Sequence, residues 1–92
     1  MYHFPPEVLQ LLTQAIGYLN RSKPNVLDFF RGAGVPADIL VPLDNQVRRD
    51  RDAISKFEIA RQVLVQLNSL GDPGLGPRRE VVRRVVEFDS FE

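Results

Sequence analysis

The chain has 92 residues, of which 43% are hydrophobic and 26% charged, and its 12 basic and 12 acidic residues give a formal net charge of zero. This composition fits one small globular domain and argues against a domain that coats nucleic acid non-specifically. Cysteine is absent, which excludes disulfides and thiolate zinc sites. No apolar run reaches the roughly 20 residues that span a bilayer, and the first residues lack a signal-peptide pattern, so we expect a cytoplasmic protein with no membrane partner.

Prolines mark the beginning of the first two predicted helices. The first begins after Pro5-Pro6, where the first-turn N–H groups have no helical partner, and its apolar residues recur at helical spacing: Val8, Leu11, Leu12, Ala15, Ile16 and Leu19. The second helix takes Pro24 into its first turn and is stopped by Gly32 and Gly34. Its inward stripe is Val26, Phe29, Phe30 and Ala33.

The third predicted helix opens at Val35-Pro36, and its apolar face is Ile39, Leu40, Leu43 and Val47. Pro42 lies inside this pattern, where it removes a hydrogen bond and clashes with the preceding turn, so we expect a kink or a break. Residues 44–52 are highly polar and are predicted to leave the helix as an exposed corner. Whether Pro42 kinks one helix or separates two is left open.

The fourth predicted helix carries a complete start signal. Ser55 is the expected N-cap, Glu58 is placed to cover the cap N–H reciprocally, and Ile54 is placed to pack on Ile59. The helix then repeats apolar residues over about four turns and ends at Gly71, its stripe being Phe57, Ala60, Val63, Leu64 and Leu67.

Residues 72–77 are predicted to form a loop, and Pro77 is predicted to start a fifth helix. Four β-branched residues between 81 and 86 would also suit a strand, but Glu80 and Arg84 are spaced for a helical ion pair and a lone strand would have no partner. The predicted class is therefore all-α, a compact bundle of five, or with a further short helix six, antiparallel helices. The predicted core is Phe29, Phe30, Phe57, Leu64, Leu67, Val82 and Val85.

The residues that could form a catalytic or metal-binding site are too few or are wrongly spaced in the sequence. His3 is the only histidine and lies near a terminus, so neither a His-based catalytic pair nor a His-rich metal site is expected. Asp44, Asp50 and Asp52 alternate with arginines and lack the glycine turn and terminal glutamate of a calcium loop. The serines have no glycine-flanked elbow, and residues 71–76 lack the lysine of a phosphate loop. We expect no enzyme activity, no cofactor and no small-molecule substrate.

Residues 26–40 superficially match a helix-turn-helix. The second helix of that motif should present groove-reading polar side chains, whereas Ala37, Asp38 and Ile39 put an acid where a phosphate would lie. A helical hairpin is therefore favoured over DNA reading.

Arginine makes up ten of the twelve basic residues. The arginines occur in clusters, and acidic residues are interspersed among them. The predicted interaction residues are Arg48, Arg49, Arg51, Arg78, Arg79, Arg83 and Arg84, with Asp28, Asp38 and Asp44 as a complementary acidic set. A solvated basic face, a docking surface for an acidic protein patch and contact with a nucleic-acid backbone all remain open, because arginine binds carboxylate and phosphate alike.

Residues 26–36, 54–61 and 78–88 resemble the N-terminal region of large bacterial proteins associated with restriction-endonuclease-like and other anti-phage defence domains. The resemblance implies that residues 1–92 are a single helical domain, the N-terminal module of a longer protein. Such a module would recruit or oligomerise its parent protein, as death-fold and caspase-recruitment-like bundles do, or would hold nucleic acid for a nuclease. Because acids are threaded through each basic cluster, protein interaction or self-association is preferred and nucleic-acid binding is the alternative.

Overall fold

The structure, a computed structural model, describes the backbone of residues 4–90 and the side chains of residues 4–87. This part of the chain is helical and contains no strand, which confirms the all-α class. The five α-helices are α1 (Pro6–Leu19), α2 (Lys23–Gly32), α3 (Ala37–Arg49), α4 (Lys56–Ser69) and α5 (Leu75–Ser90). None of them is both long enough and apolar enough to cross a membrane. His3, for which no catalytic or metal-binding role was expected, lies outside the described residues.

The pairing of α1 with α4 is the most extensive helix contact. Just before α1, the Phe4 N–H donates to Asn68 Oδ1 at 2.9 Å, and Asn68 Nδ2 donates back to the Phe4 carbonyl at 3.0 Å. Beyond the other end of α1, Lys56 Nζ donates to the Asn20 carbonyl at 3.0 Å. The start of α1 therefore lies at the end of α4, and the end of α1 at the start of α4.

All five α-helices contribute to the core. Its completely buried hydrophobic residues are Ile16, Val26, Phe30, Ile59, Ala60, Val63, Leu64, Leu67 and Val81. The prediction for Phe29, Phe30, Leu64 and Leu67 is confirmed. Phe57, Val82 and Val85 are only half-buried, so their placement in the core was wrong in degree. On α5 the most buried apolar residue is Val81, one position before the predicted Val82. Residues 78, 81 and 85 are three and four positions apart and therefore lie on the same, core-facing side of the helix.

The apolar face predicted for α1 is only partly correct. Leu12 and Ile16 are buried, but Val8 is 38% and Leu11 65% exposed. Leu9 instead packs against the core. The core-facing side of α1 is thus rotated away from Val8 and Leu11, and those two side chains face solvent.

The turn between α2 and α3 follows the glycine signals. Ser22 caps α2 by accepting from the Asn25 N–H at 3.2 Å, and Gly34 has a φ of 89°, a left-handed conformation that glycine adopts without strain. Of the two outcomes left open at Pro42, separation into two helices does not occur, since α3 is one helix from Ala37 to Arg49. Proline has no N–H, so the carbonyl of Asp38, four residues earlier, loses its helical hydrogen-bond donor. Pro42 and Asp38 both lie on the exposed side of the helix, where water can donate to that carbonyl instead.

The end of α3 and the start of α5 also differ from prediction. The polar residues 44–49 stay helical because Val47 is anchored in the core, and the exposed corner is confined to residues 50–53. After α4 a 3-10 turn, Asp72–Gly74, leads directly into α5 at Leu75, two residues before the predicted start at Pro77. That turn lies where a loop was expected, and it is the one short helical element besides the five helices in the described chain.

The start of α4 confirms one half of the predicted capping box. Ser55 Oγ accepts from the Glu58 N–H at 3.1 Å, and both Ile54 and Ile59 are buried in the core. The reciprocal half was wrong, because the Glu58 carboxylate accepts from Arg61 and Gln62 within α4. A bidentate guanidinium partner holds the carboxylate more strongly than a cap N–H would.

Candidate functional surfaces

Two of the four arginines predicted as an interaction face on α5, Arg83 and Arg84, are neutralised by carboxylates of the same helix. Arg83 donates to Glu80 and Glu87, and Arg84 Nε donates to Glu80 Oε1 at 3.1 Å. The hydrogen bond from Arg83 is the main reason that the pKa of Glu80 is lowered to about 2. This face is therefore a network of paired charges, not a surplus of positive charge.

The same pairing recurs on the other helices. Asp28 accepts from Arg31 on α2, and Asp44 pairs with Arg48 on α3 at 3.4 Å. These two aspartates therefore do not form a separate acidic face that faces the arginines of another helix. Four other predicted interaction residues are exposed and form no ion pair within the described chain: Asp38, Arg49, Arg51 and Arg79. The interaction role predicted for the exposed set stays a prediction.

Acid should weaken the fold partly through the α5 network. Because the pKa of Glu80 is lowered in the folded protein, its ion pairs stabilise the fold above the usual glutamate pKa of about 4.5, and that contribution is lost as the pH falls toward 2. We expect Glu80→Gln to flatten the decline of the melting temperature between these pH values. Glu7→Gln, which removes a carboxylate that has no ion pair among the described residues, should leave the decline unchanged. Equal pH profiles for the wild type and Glu80→Gln would contradict the assignment.

Arg78, also predicted to contact a partner, is only 1% exposed and belongs to the interior. Its Nη1 donates to the Leu67 carbonyl at 2.7 Å, and its Nη2 donates to the Gly71 carbonyl at 2.8 Å. The Leu67 carbonyl also accepts from the Leu70 N–H at 3.2 Å, and the Gly71 carbonyl accepts from the Gly74 N–H at 3.1 Å. The guanidinium is a second, charged donor to each carbonyl, and it joins the end of α4 to α5. Arg78 is therefore corrected from a surface residue to a structural one.

A cleft of about 510 Å³ lies between the α1–α2 turn and the α3–α4 connection. Its charged lining residues are Arg21, Lys23, Arg51, Lys56 and Asp52, and its remaining lining residues are Ser22, Pro24 and Val47. Four positive charges against one negative charge give the cleft a formal charge of 4 − 1 = +3, in a chain whose net charge is zero. Sequence reasoning singled out only Arg51 as an interaction residue here.

The exposed side of α1 carries a second apolar stripe. Val8, Leu11, Ala15 and Tyr18 follow one another at intervals of three, four and three residues, and Tyr18 is 79% exposed. The Tyr18 ring lies edge-on to Phe57 of α4, with ring centroids 5.2 Å apart. Glu7 is the only charged residue of α1. Intervals of three and four residues are those of the a and d positions of a coiled-coil seam.

Comparison with known proteins adds no family to these observations. No protein-family model, no curated protein and no solved structure matches the chain. Among the described residues, no group of three or more histidine, aspartate or glutamate side chains is placed to hold a metal ion. The resemblance to the N-terminal regions of bacterial defence proteins stays a prediction.

Proposed function

We propose that this chain is a non-catalytic interaction module that self-associates through the outer face of α1. The observation that carries the proposal is the stripe Val8, Leu11, Ala15 and Tyr18, two heptads of a helix-packing seam on the solvent side of a helix. A seam of this spacing is completed by a second helix, whose side chains fill the holes between its residues.

The second helix is proposed to be α1 of another copy. The stripe is almost free of charge, since Glu7 is the only charged residue in the fourteen residues of α1. Two copies of this face meet without appreciable like-charge repulsion, whereas the faces of the other helices bring several charges each. The face has no charge pattern that would select a strongly acidic or basic partner.

The size of the face sets the strength of the association. Fourteen residues of helix extend about 21 Å, and a single helix pair of this length buries less than the roughly 800 Å² per partner of a standard interface. We therefore expect weak self-association of the isolated module, with a dissociation constant of roughly 0.1 mM. Attachment to a multidomain parent would raise the effective concentration and make such a contact useful.

The biological setting is proposed from the sequence resemblance. The module is proposed to be an antiparallel death-fold-like bundle that works in the cytoplasm, at the N-terminus of a larger bacterial anti-phage defence protein. The alternative of an auxiliary nucleic-acid-binding domain has less support, because Arg83 and Arg84 are engaged by Glu80 and Glu87 and offer little unpaired charge to a phosphate backbone.

The test is to place charge in the stripe. The wild-type module should show a weight-average mass that rises toward the dimer as its concentration approaches millimolar, and Leu11→Lys/Tyr18→Lys should remain monomeric. The reason is that each lysine would place a charge within the apolar contact, where it would lose hydration in the dimer. Sedimentation velocity measures the mass, and circular dichroism checks that the helices are retained.

Val41→Lys is the matched control, since Val41 is an exposed apolar residue on α3, 53% accessible and outside the stripe. It should associate like the wild type. A wild-type chain that stays monomeric throughout, or a double variant that associates as well as Val41→Lys, would contradict the proposal.

A further inference from the structure

We propose that the basic cleft, lined by Arg21, Lys23, Arg51 and Lys56, binds a phosphate-bearing anion of nucleotide size. The inference is independent of self-association through α1. It rests on where the chain places its cations, on the way the cleft is held together and on the cleft's dimensions.

The cations of the cleft lack the carboxylate partners that five arginines elsewhere in the chain have, a property they share with the exposed Arg49 and Arg79; among the described residues, only the cleft gathers four such cations in one concave site. Arg31, Arg48, Arg61, Arg83 and Arg84 each pair with a carboxylate three or four residues away on their own helix. In the described part of the chain, none of the four cleft cations forms an ion pair. The acid in the lining, Asp52, leaves a surplus of three positive charges. Like charges gathered in one concave site repel one another, and an anion bound between them relieves that repulsion.

Two of the four cleft cations are carried by helices, and the other two, Arg21 and Arg51, lie in the turns between helices. Lys23 lies in the first turn of α2 and Lys56 in the first turn of α4, while Val47 of α3 contributes a buried apolar wall. The bond from Lys56 Nζ to the Asn20 carbonyl fixes the α1–α2 turn against α4. An ammonium has three N–H donors, so this bond leaves Lys56 donors for a ligand.

Charge and size together favour phosphate. Two arginines offer forked donors that match phosphate oxygens, and two lysines add point charges. A volume of about 510 Å³ lies within the range of small-ligand sites and suits a polyphosphate or a nucleotide. Pro24 and Val47 add apolar surface on which the rest of such a ligand can lie. A cleft of this volume accommodates one nucleotide-sized molecule and not several residues of an extended nucleic-acid strand.

The experiment titrates the complete chain with sodium tripolyphosphate and with ATP, following amide shifts by NMR and heat by calorimetry. We expect saturable binding, weakened by added salt, with shift changes concentrated at residues 21–24 and 47–56. Arg21→Gln/Arg51→Gln should bind each probe at least tenfold more weakly, because two charge-assisted contacts are lost. Both arginines are exposed, so the fold should persist.

Arg79→Gln/Arg83→Gln removes the same charge from α5 and should change the affinity less than twofold. Equal weakening in both double variants, shifts spread over the whole surface or the absence of saturable binding would overturn the proposal. A single-stranded oligonucleotide whose affinity rises with its length beyond that of ATP would also overturn it, in favour of a nucleic-acid strand. Loss of binding in the cleft variant alone, with self-association unchanged, would separate this site from the α1 face.

Discussion

Arg78→Met is expected to lower the free energy of unfolding by about 3 kcal/mol, the largest effect predicted for any residue outside the apolar core. The guanidinium supplies hydrogen bonds to the carbonyls of Leu67 and Gly71, and methionine leaves both without that donor. A hydrogen bond to a charged group contributes about 1.5–3 kcal/mol, and release of the buried charge offsets part of the loss of two. Urea unfolding followed by circular dichroism measures the change.

Arg79→Met is the matched control, because Arg79 is the next residue on α5 and its side chain is exposed. It should change stability by no more than about 0.5 kcal/mol. Gly74→Ala tests the hydrogen bond between Arg78 and the Leu67 carbonyl by crowding it. A Cβ at position 74 would lie 2.5 Å from Arg78 Nη1 and 2.8 Å from the Leu67 carbonyl oxygen. Similar stabilities for the Arg78 and Arg79 variants would show that the guanidinium does not hold α4 to α5.

Gly17→Ala is expected to destabilise the protein by about 2 kcal/mol, although alanine is the better helix former by about 1 kcal/mol. A Cβ at Gly17 would overlap ring carbons Cδ1 and Cε1 of Phe57 and lie 3.0 Å from its Cγ. Closeness to Cγ means that rotation of the ring does not relieve the overlap. α1 must therefore move away from α4 across their most extensive contact, at a cost typical of overpacking.

Two variants test that explanation for Gly17. Gly76→Ala makes the same change in α5, where a Cβ would meet nothing within 4 Å, and it should be neutral or stabilising. Phe57→Leu should recover much of the loss when combined with Gly17→Ala, so the double-mutant cycle should show strong coupling. Additive effects, or a stabilising Gly17→Ala, would mean that the close approach of α1 to Phe57 is not what fixes this position.

The sequence predicted helices well because their signals are local. Ser55 capped α4 as expected, and Gly34 ended the α2 region in a left-handed conformation. Local signals failed where tertiary contacts decide the outcome. Val47, buried among other helices, keeps a polar segment helical to Arg49, and the position of α4 determines that Leu11 faces solvent.

The candidate sites were harder to predict for a related reason. An arginine within a cluster of arginines looks like a surface residue, and only its spacing from Val81 and Val85 indicated that Arg78 shares their buried stripe. The cleft had no comparable signal. Arg21 and Lys56 are 35 positions apart, and their proximity depends on the packing of α1 against α4.

The partnership of α1 with α4 also bears on how the chain folds as it is synthesised. The hydrogen bonds between Phe4 and Asn68 join residues 64 positions apart, whereas α2 and α3 are neighbours in sequence and contact each other directly. Closing a long loop is entropically unfavourable, so contacts between distant segments form more slowly than local ones. Because α1 is synthesised before α4, it must wait for α4, and until then the apolar surface around Ile16 depends on chaperones or on transient local collapse for protection.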